Sequence, residues 1–145
     1  MSRRWRWVIA AVVAVVAVAA AAWLVVARTG GGNDCATARE MIAFNQQHNA
    51  TVDAQANAGQ ESPQTGYEHW ADHLSDLAGS IDDPELAEHA QRAAELAHQT
   101  VALNPALLDE LSGPETSLGP TAHEYAELSR QFGEELTALG QACPA

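Results

Sequence analysis

Residues 7–27, WVIAAVVAVVAVAAAAWLVVA, form an uninterrupted apolar run without a charge, a glycine or a proline. A helix of that length spans about 31 Å at ~1.5 Å per residue, which matches a bilayer core of ~30 Å. A helix buried in a soluble core would keep a polar face, and this run has none. The sequence therefore predicts a membrane-spanning signal anchor at 7–27. Arg3, Arg4 and Arg6 precede it and only Arg28 follows closely. The positive flank stays cytoplasmic, which places residues 1–6 inside and everything after residue 28 outside. Trp5, Trp7 and Trp23 lie near the two ends of the run, where indoles favour the headgroup level.

A cleaved signal peptide is the competing reading of the same segment. Its apolar region would normally be ~7–15 residues, shorter than this one, although Val25-Val26-Ala27 would suit a peptidase. Arg6 interrupts any twin-arginine pattern. Asn33-Asp34 before Cys35 is unlike the small apolar residues of a lipoprotein site.

Beyond the anchor the composition changes. Thr29-Gly30-Gly31-Gly32 reads as a short flexible linker within 28–33. Residues 34–145 then read as one acidic extracytoplasmic domain. From residue 29 on, nineteen acidic residues face only Arg39, Arg92 and Arg130, a net charge of −16, and the chain has no lysine. Such a surface repels phosphate backbones, which excludes nucleic acid as a partner. The partners expected instead are membrane lipid, through 7–27, and another envelope protein.

Cys35 and Cys143 bracket this domain. Export puts them where disulfides persist. One intramolecular bridge is expected, with an intermolecular bridge as the alternative.

The exported part shows helical periodicity throughout. Asp34 can cap a first helix to about residue 58, with Ala38, Ile42, Asn45, Asn49, Val52 and Ala56 as its stripe and Met41, Phe44 and His48 beside it. A second helix at about 64–80 carries Tyr67, Trp70, Leu74, Leu77 and Ile81. Asp82-Asp83-Pro84-Glu85 is a helix start, and the third helix runs to about 103 with Leu86, Ala90, Ala93, Ala97 and Val101 inward. Asn104-Pro105 ends it. Ala106–Leu111 form one or two further turns, and Ser112–Pro120 a loop. A last helix spans about 121–142, with Tyr125, Leu128, Phe132, Leu136, Leu139 and Cys143 on one face. The fold class is thus all-α: a transmembrane helix, then an antiparallel four-helix bundle clamped by one disulfide. Up-down-up-down topology brings the start of the first helix and the end of the last together, as the cysteines require.

Chemistry-bearing residues are few. His69 and His73 lie one helical turn apart, with Asp76 continuing the strip. That spacing suits a shared divalent metal if His89 of the third helix adds a ligand. Residue 70 is Trp rather than Glu, so the metalloprotease motif is absent. Haem is a related possibility, with Tyr67, His69 or His73 as axial ligand, although no CxxCH motif exists. Asn45, His48 and Asn49 could line a polar pocket between helices, or pair with one another inside the bundle. No nucleophile elbow, phosphate loop or Walker pattern occurs, so no catalytic residue is assigned. Asn49-Ala50-Thr51 matches a glycosylation sequon by chance in a chain of this composition.

The basic Arg3–Arg6 start, the Ala/Val run, and Asp34-Cys35-Ala36-Thr37-Ala38-Arg39-Glu40-Met41 opening a helix that closes through Cys143 give the whole chain a recognisable layout. It resembles the small single-pass membrane proteins of high-GC actinobacteria, mycobacteria included. The resemblance implies an envelope location and carries over no activity and no functional residue. Two functions follow as expectations. One is an interaction module with contacts at Leu107, Leu108 and Leu111 or around Tyr67 and Trp70. The other is a metal or haem binder.

Overall fold

A computed structural model of the protein describes residues 32–113 and 118–144. The expected span at 7–27 lies outside them. Among the described residues no helix is long and apolar enough to cross a membrane. Asp34–Ala145 form one compact unit, built from α1 (32–57), α2 (Gln64–Ala78), α3 (Pro84–Ser112) and α4 (Pro120–Ala142). No strand occurs among the described residues.

Consecutive helices run antiparallel. On α1 and α2, Phe44 meets His73 and His48 meets Tyr67. Gln64 of α2 reaches Val101 of α3, and Ser75 reaches His98. On α3 and α4, His89 pairs with Glu135 and Glu110 with Thr121. The bundle closes where Cys35 of α1 bonds Cys143, with their Cα atoms 5.2 Å apart. The bridge is intramolecular. Beside it Arg39 donates to the carbonyls of Cys143 and Pro144, at 3.3 and 2.8 Å. A cation there meets the negative end of α4.

The core is small-residue rich. Met41, Leu74, Leu96 and Leu139 are its largest fully buried side chains, and Ala71, Ala90, Ala93 and Ala97 sit between them. Each alanine lets a neighbouring backbone approach closely, so the helices pack tightly around little apolar volume.

Three expectations are corrected. First, residues 32 and 33 are already helical, so the linker ends sooner than 33 and Asp34 is not the cap of α1. Asp34 is buried, and its carboxylate accepts the Asp83 backbone N–H at 2.8 Å. It supports the start of α3, where Asp83 in turn accepts from Glu85 and Leu86 and Pro84 occupies the first turn. Second, the buried face of α1 runs through Ala38, Met41 and Asn45, whereas Asn49 and Ala56 are exposed. The two stripes share residues 38 and 45, and Met41 is fully buried with Ile42 half-buried beside it, a difference that periodicity resolves poorly in a helix with few large apolar residues.

Third, α3 does not stop at Asn104. It continues through Pro105 to Ser112. Proline has no N–H for the carbonyl four residues earlier, that of Val101. Gln64 Nε2 supplies the missing donor at 3.2 Å, and Gln64 Oε1 accepts from Asn104 Nδ2 at 3.0 Å.

Candidate ligand-binding site

Asn45 and His48 lie three residues apart on α1 and so project on one side of it. The His48 ring stacks on Trp70 of α2, with centroids 5.0 Å apart and planes 15° apart. Tyr67 meets the same imidazole in a T-shaped pair with centroids 5.6 Å apart, and Phe132 of α4 meets Trp70 likewise at 5.5 Å. These contacts form an aromatic chain across three helices.

The chain borders a cavity of about 360 Å³. From α1 it is lined by Asn45, His48, Asn49 and Val52, so the three residues singled out as a polar pocket do converge. Tyr67 and Trp70 contribute from α2. Thr100, Val101 and Asn104 face it from α3. On the α3 wall Thr100 donates to the Leu96 carbonyl at 2.8 Å and Asn104 Nδ2 donates to Gln64 Oε1 at 3.0 Å. On α4, Tyr125, Ser129 and Gly133 recur every four residues along the cavity, beside Phe132 and Leu136.

Three buried polar atoms in these walls have no hydrogen-bond partner: Asn45 Oδ1, His48 Nε2 and Trp70 Nε1. A buried donor or acceptor left unpaired costs about 1–3 kcal/mol, so these three atoms oppose folding. Burial pushes the His48 imidazole below its ordinary pKa, which favours the uncharged ring. Burial, and then the neighbouring Tyr67 phenol, push Tyr125 up.

The histidines considered for metal are placed elsewhere. The rings of His69 and His73 lie near parallel, 6.4 Å apart, and His73 forms a T-shaped pair with Phe44 at 4.3 Å in the α1–α2 seam. Asp76 is exposed. His89 belongs to the α3–α4 seam, where Nδ1 lies 2.6 Å from Glu135 Oε2. Residues 69, 73, 76 and 89 are thus not brought together, and among the described residues no group of three or more His, Cys, Asp or Glu is placed to hold a metal ion. Of the three side chains considered for haem, only Tyr67 reaches the cavity. Trp70 is corrected too: at 7% exposed it is a wall of the core rather than a surface contact.

The helical pattern of α4 places Tyr125, Phe132 and Leu136 in the core and does not single out Ser129 or Gly133. One signal was available. Glycine inside a long helix is unfavourable, and Gly133 lies one turn from a serine on a face that is otherwise apolar.

No family model, no curated protein and no solved structure matches the chain.

Proposed function

We propose that residues 34–145 are an extracytoplasmic module that takes a small molecule into the cavity between its four helices, held at the cell envelope by the apolar run 7–27. The cavity itself carries this reading: residues from all four helices line it, with the rings of Tyr67, Trp70 and Phe132 beside the neutral polar residues Asn45, Asn49 and Ser129. The cavity falls at the lower end of the ~300–1,000 Å³ range of small-molecule sites, and its mixture of aromatic and neutral polar walls is typical of them.

The test is thermal melting of the full-length protein in lipid nanodiscs against a fragment library. Binding to the folded state raises the midpoint by mass action. Fragments that raise the wild-type midpoint should lose their effect in Gly133→Leu and in Ser129→Leu, which place bulk along the cavity face of α4. A library without effect on wild type, or with the same effect on both variants, overturns the reading. The placement has its own test: alkaline phosphatase fused after residue 145 should be active in intact bacteria, and an inactive fusion overturns it.

A second reading has its own support. Leu108, Leu111 and Leu118 are 44%, 59% and 65% exposed around the α3–α4 connection, where an envelope protein could dock. Photo-crosslinkers at these three positions should capture one common partner in intact cells. Capture no different from that of a crosslinker at exposed Asp53 removes this reading.

A further inference from the structure

α3 outruns its neighbour. It has 29 residues against the 15 of α2. Gln64, the first residue of α2, bonds to Val101 and Asn104 of α3. The two helices are antiparallel, so α3 residues 105–112 project past the start of α2. That stretch is about two turns, or ~12 Å of helix. No residue from 102 to 112 is buried. The Glu110 carboxylate ties the stretch to α4, at Thr121 and Ala122. Among the described residues no helix continues α2 beside it.

Apolar side chains remain on this projection. Leu108 and Leu111 are three residues apart and share a face. Leu118 precedes Gly119, which lies against the Glu110 carboxylate, so it adjoins them. These three are the exposed large hydrophobic residues of the described chain. An open helix side of two turns carrying leucines suits one further helix laid along it.

The charge at this end selects the occupant. The segments that meet here, 49–68, 101–113 and 118–126, contain six carboxylates and no Arg or Lys. Glu110 is taken by the α4 backbone. The other five, Asp53, Glu61, Glu68, Asp109 and Glu124, are exposed and have no ion-pair or hydrogen-bond partner among the described residues. A second copy would bring the same negative end, and an anionic bilayer a negative plane, and both are repelled. A partner with Lys or Arg flanking an apolar stripe is attracted.

Building on the docking reading above, we infer that the α3 projection receives a basic amphipathic helix of a partner protein. Its apolar residues, spaced i, i+3 or i+4 and i+7, cover Leu108, Leu111 and Leu118. Its Lys or Arg side chains meet the flanking carboxylates, Asp109 foremost.

Three synthetic helices of ~14 residues, about four turns, test this. They are Lys/Leu, Glu/Leu and Lys/Ser, which vary the charge and the apolar stripe one at a time. The protein is the full chain in phosphatidylcholine nanodiscs, and empty nanodiscs correct for peptide held by lipid. Lys/Leu should bind at least about tenfold tighter than either of the others, since each of those lacks one complementary feature. Leu108→Ser/Leu111→Ser should weaken Lys/Leu by at least about tenfold while the melting midpoint stays within a few degrees, as expected for exposed positions. Asp109→Lys/Glu124→Lys should weaken it more than the equal charge change Asp76→Lys/Glu88→Lys, made at exposed residues of the opposite end.

Glu/Leu binding as tightly as Lys/Leu overturns the basic class. Equal binding of Lys/Ser, or an unchanged affinity in the leucine variant, overturns the apolar surface. Equal losses from the two charge reversals overturn the location, whether or not the leucine variant folds. Leucine-dependent dimers of the full chain in detergent, or leucine-dependent binding to anionic vesicles, give the surface another occupant and also overturn the proposal. The crosslinkers at 108, 111 and 118 separate the two levels. A common partner captured through a segment without Lys or Arg defeats this inference alone. Capture of no common partner defeats the docking reading beneath it.

Discussion

Gln64 and Val101 are joined by a hydrogen bond that exists because of a third residue. The Val101 carbonyl is the one Pro105 cannot serve, and Gln64 Nε2 lies 3.2 Å from it. A side chain from α2 therefore repairs α3 at the place where the helix would be expected to end. Removing it should leave a part-buried carbonyl unpaired. Gln64→Ala is expected to destabilise the domain by about 1–3 kcal/mol in urea unfolding. In a Pro105→Ala background residue 105 regains its N–H, and the same substitution should cost distinctly less. Equal losses in both backgrounds would show that the bond does not compensate for the proline.

A similar long-range repair starts α4. Gly119 caps that helix without a side chain, and the Glu110 carboxylate accepts the N–H groups of Thr121 and Ala122, each at 3.0 Å. Desolvation pushes the Glu110 pKa up, but the backbone donors of Ala122, Thr121 and Gly119 outweigh it, and the carboxyl titrates below its ordinary range. A depressed carboxylate contributes stability above its unfolded pKa, and that contribution disappears as pH falls through the folded value. Glu110→Gln should thus lower the melting midpoint at pH 7, and the difference should shrink below pH 4. A Cβ at Gly119 would collide with the Glu110 carboxylate. Gly119→Ala should therefore displace the same carboxylate, and the two substitutions together should cost less than their sum. Full additivity would separate the glycine from the cap.

The disulfide joins residues 108 apart. A loop of that size restricts the unfolded chain by about 4–5 kcal/mol in the chain-entropy model. With so few large apolar residues in the core, Cys35→Ser/Cys143→Ser should lose most of its folded population at 37 °C, read by circular dichroism. A variant melting within a few degrees of wild type would show that packing alone suffices.

The parts that were legible in advance are those whose cause is local. Asp83-Pro84 announces a helix start because cap and proline act within one turn. Leu74 and Ile81 mark a buried face by spacing alone. Two cysteines allow one intramolecular pairing, and an antiparallel four-helix bundle independently brings them to one end. Asn45, His48 and Asn49 were legible as a contradiction, polar residues on an apolar stripe. What stayed hidden depends on residues far apart in the chain. Pro105 looks like a terminator unless Gln64 is known to lie beside Val101. Glu110 looks like surface until Thr121 folds back onto it. His69 and His73 have ligand spacing, yet the third ligand depended on His89, which faces Glu135 instead.

His48 gives the domain a pH dependence of definite sign. Burial lowers its pKa below the ordinary 6.5 of a histidine, so the unfolded chain binds its proton more readily than the folded one. Stability from this group is fully present above pH 6.5 and falls as pH drops toward the folded value. Between pH 7.5 and 5.5 the wild type should lose more stability than His48→Gln, measured by urea unfolding at each pH. An identical decline in both would assign the pH response to other groups.

Two glycines predict opposite outcomes for one substitution. Gly59 has φ +69° and closes α1 by a Schellman turn, with Gln60 N–H bonded to Gln55 O at 2.9 Å and Gly59 N–H to Ala56 O at 3.0 Å. An L side chain in that left-handed conformation is strained, and Gly59→Ala should destabilise by about 1–2 kcal/mol. Gly133 lies inside α4 with ordinary helical geometry, and its added Cβ would touch nothing within 4 Å. There the helix propensity of alanine prevails, and Gly133→Ala should stabilise by up to about 1 kcal/mol. Denaturant unfolding of the two variants beside wild type reads both signs. A gain at residue 133 together with weakened ligand uptake would mean that the glycine is kept for access at the expense of stability. A loss there would mean that the backbone at 133 needs glycine for a reason other than the cavity.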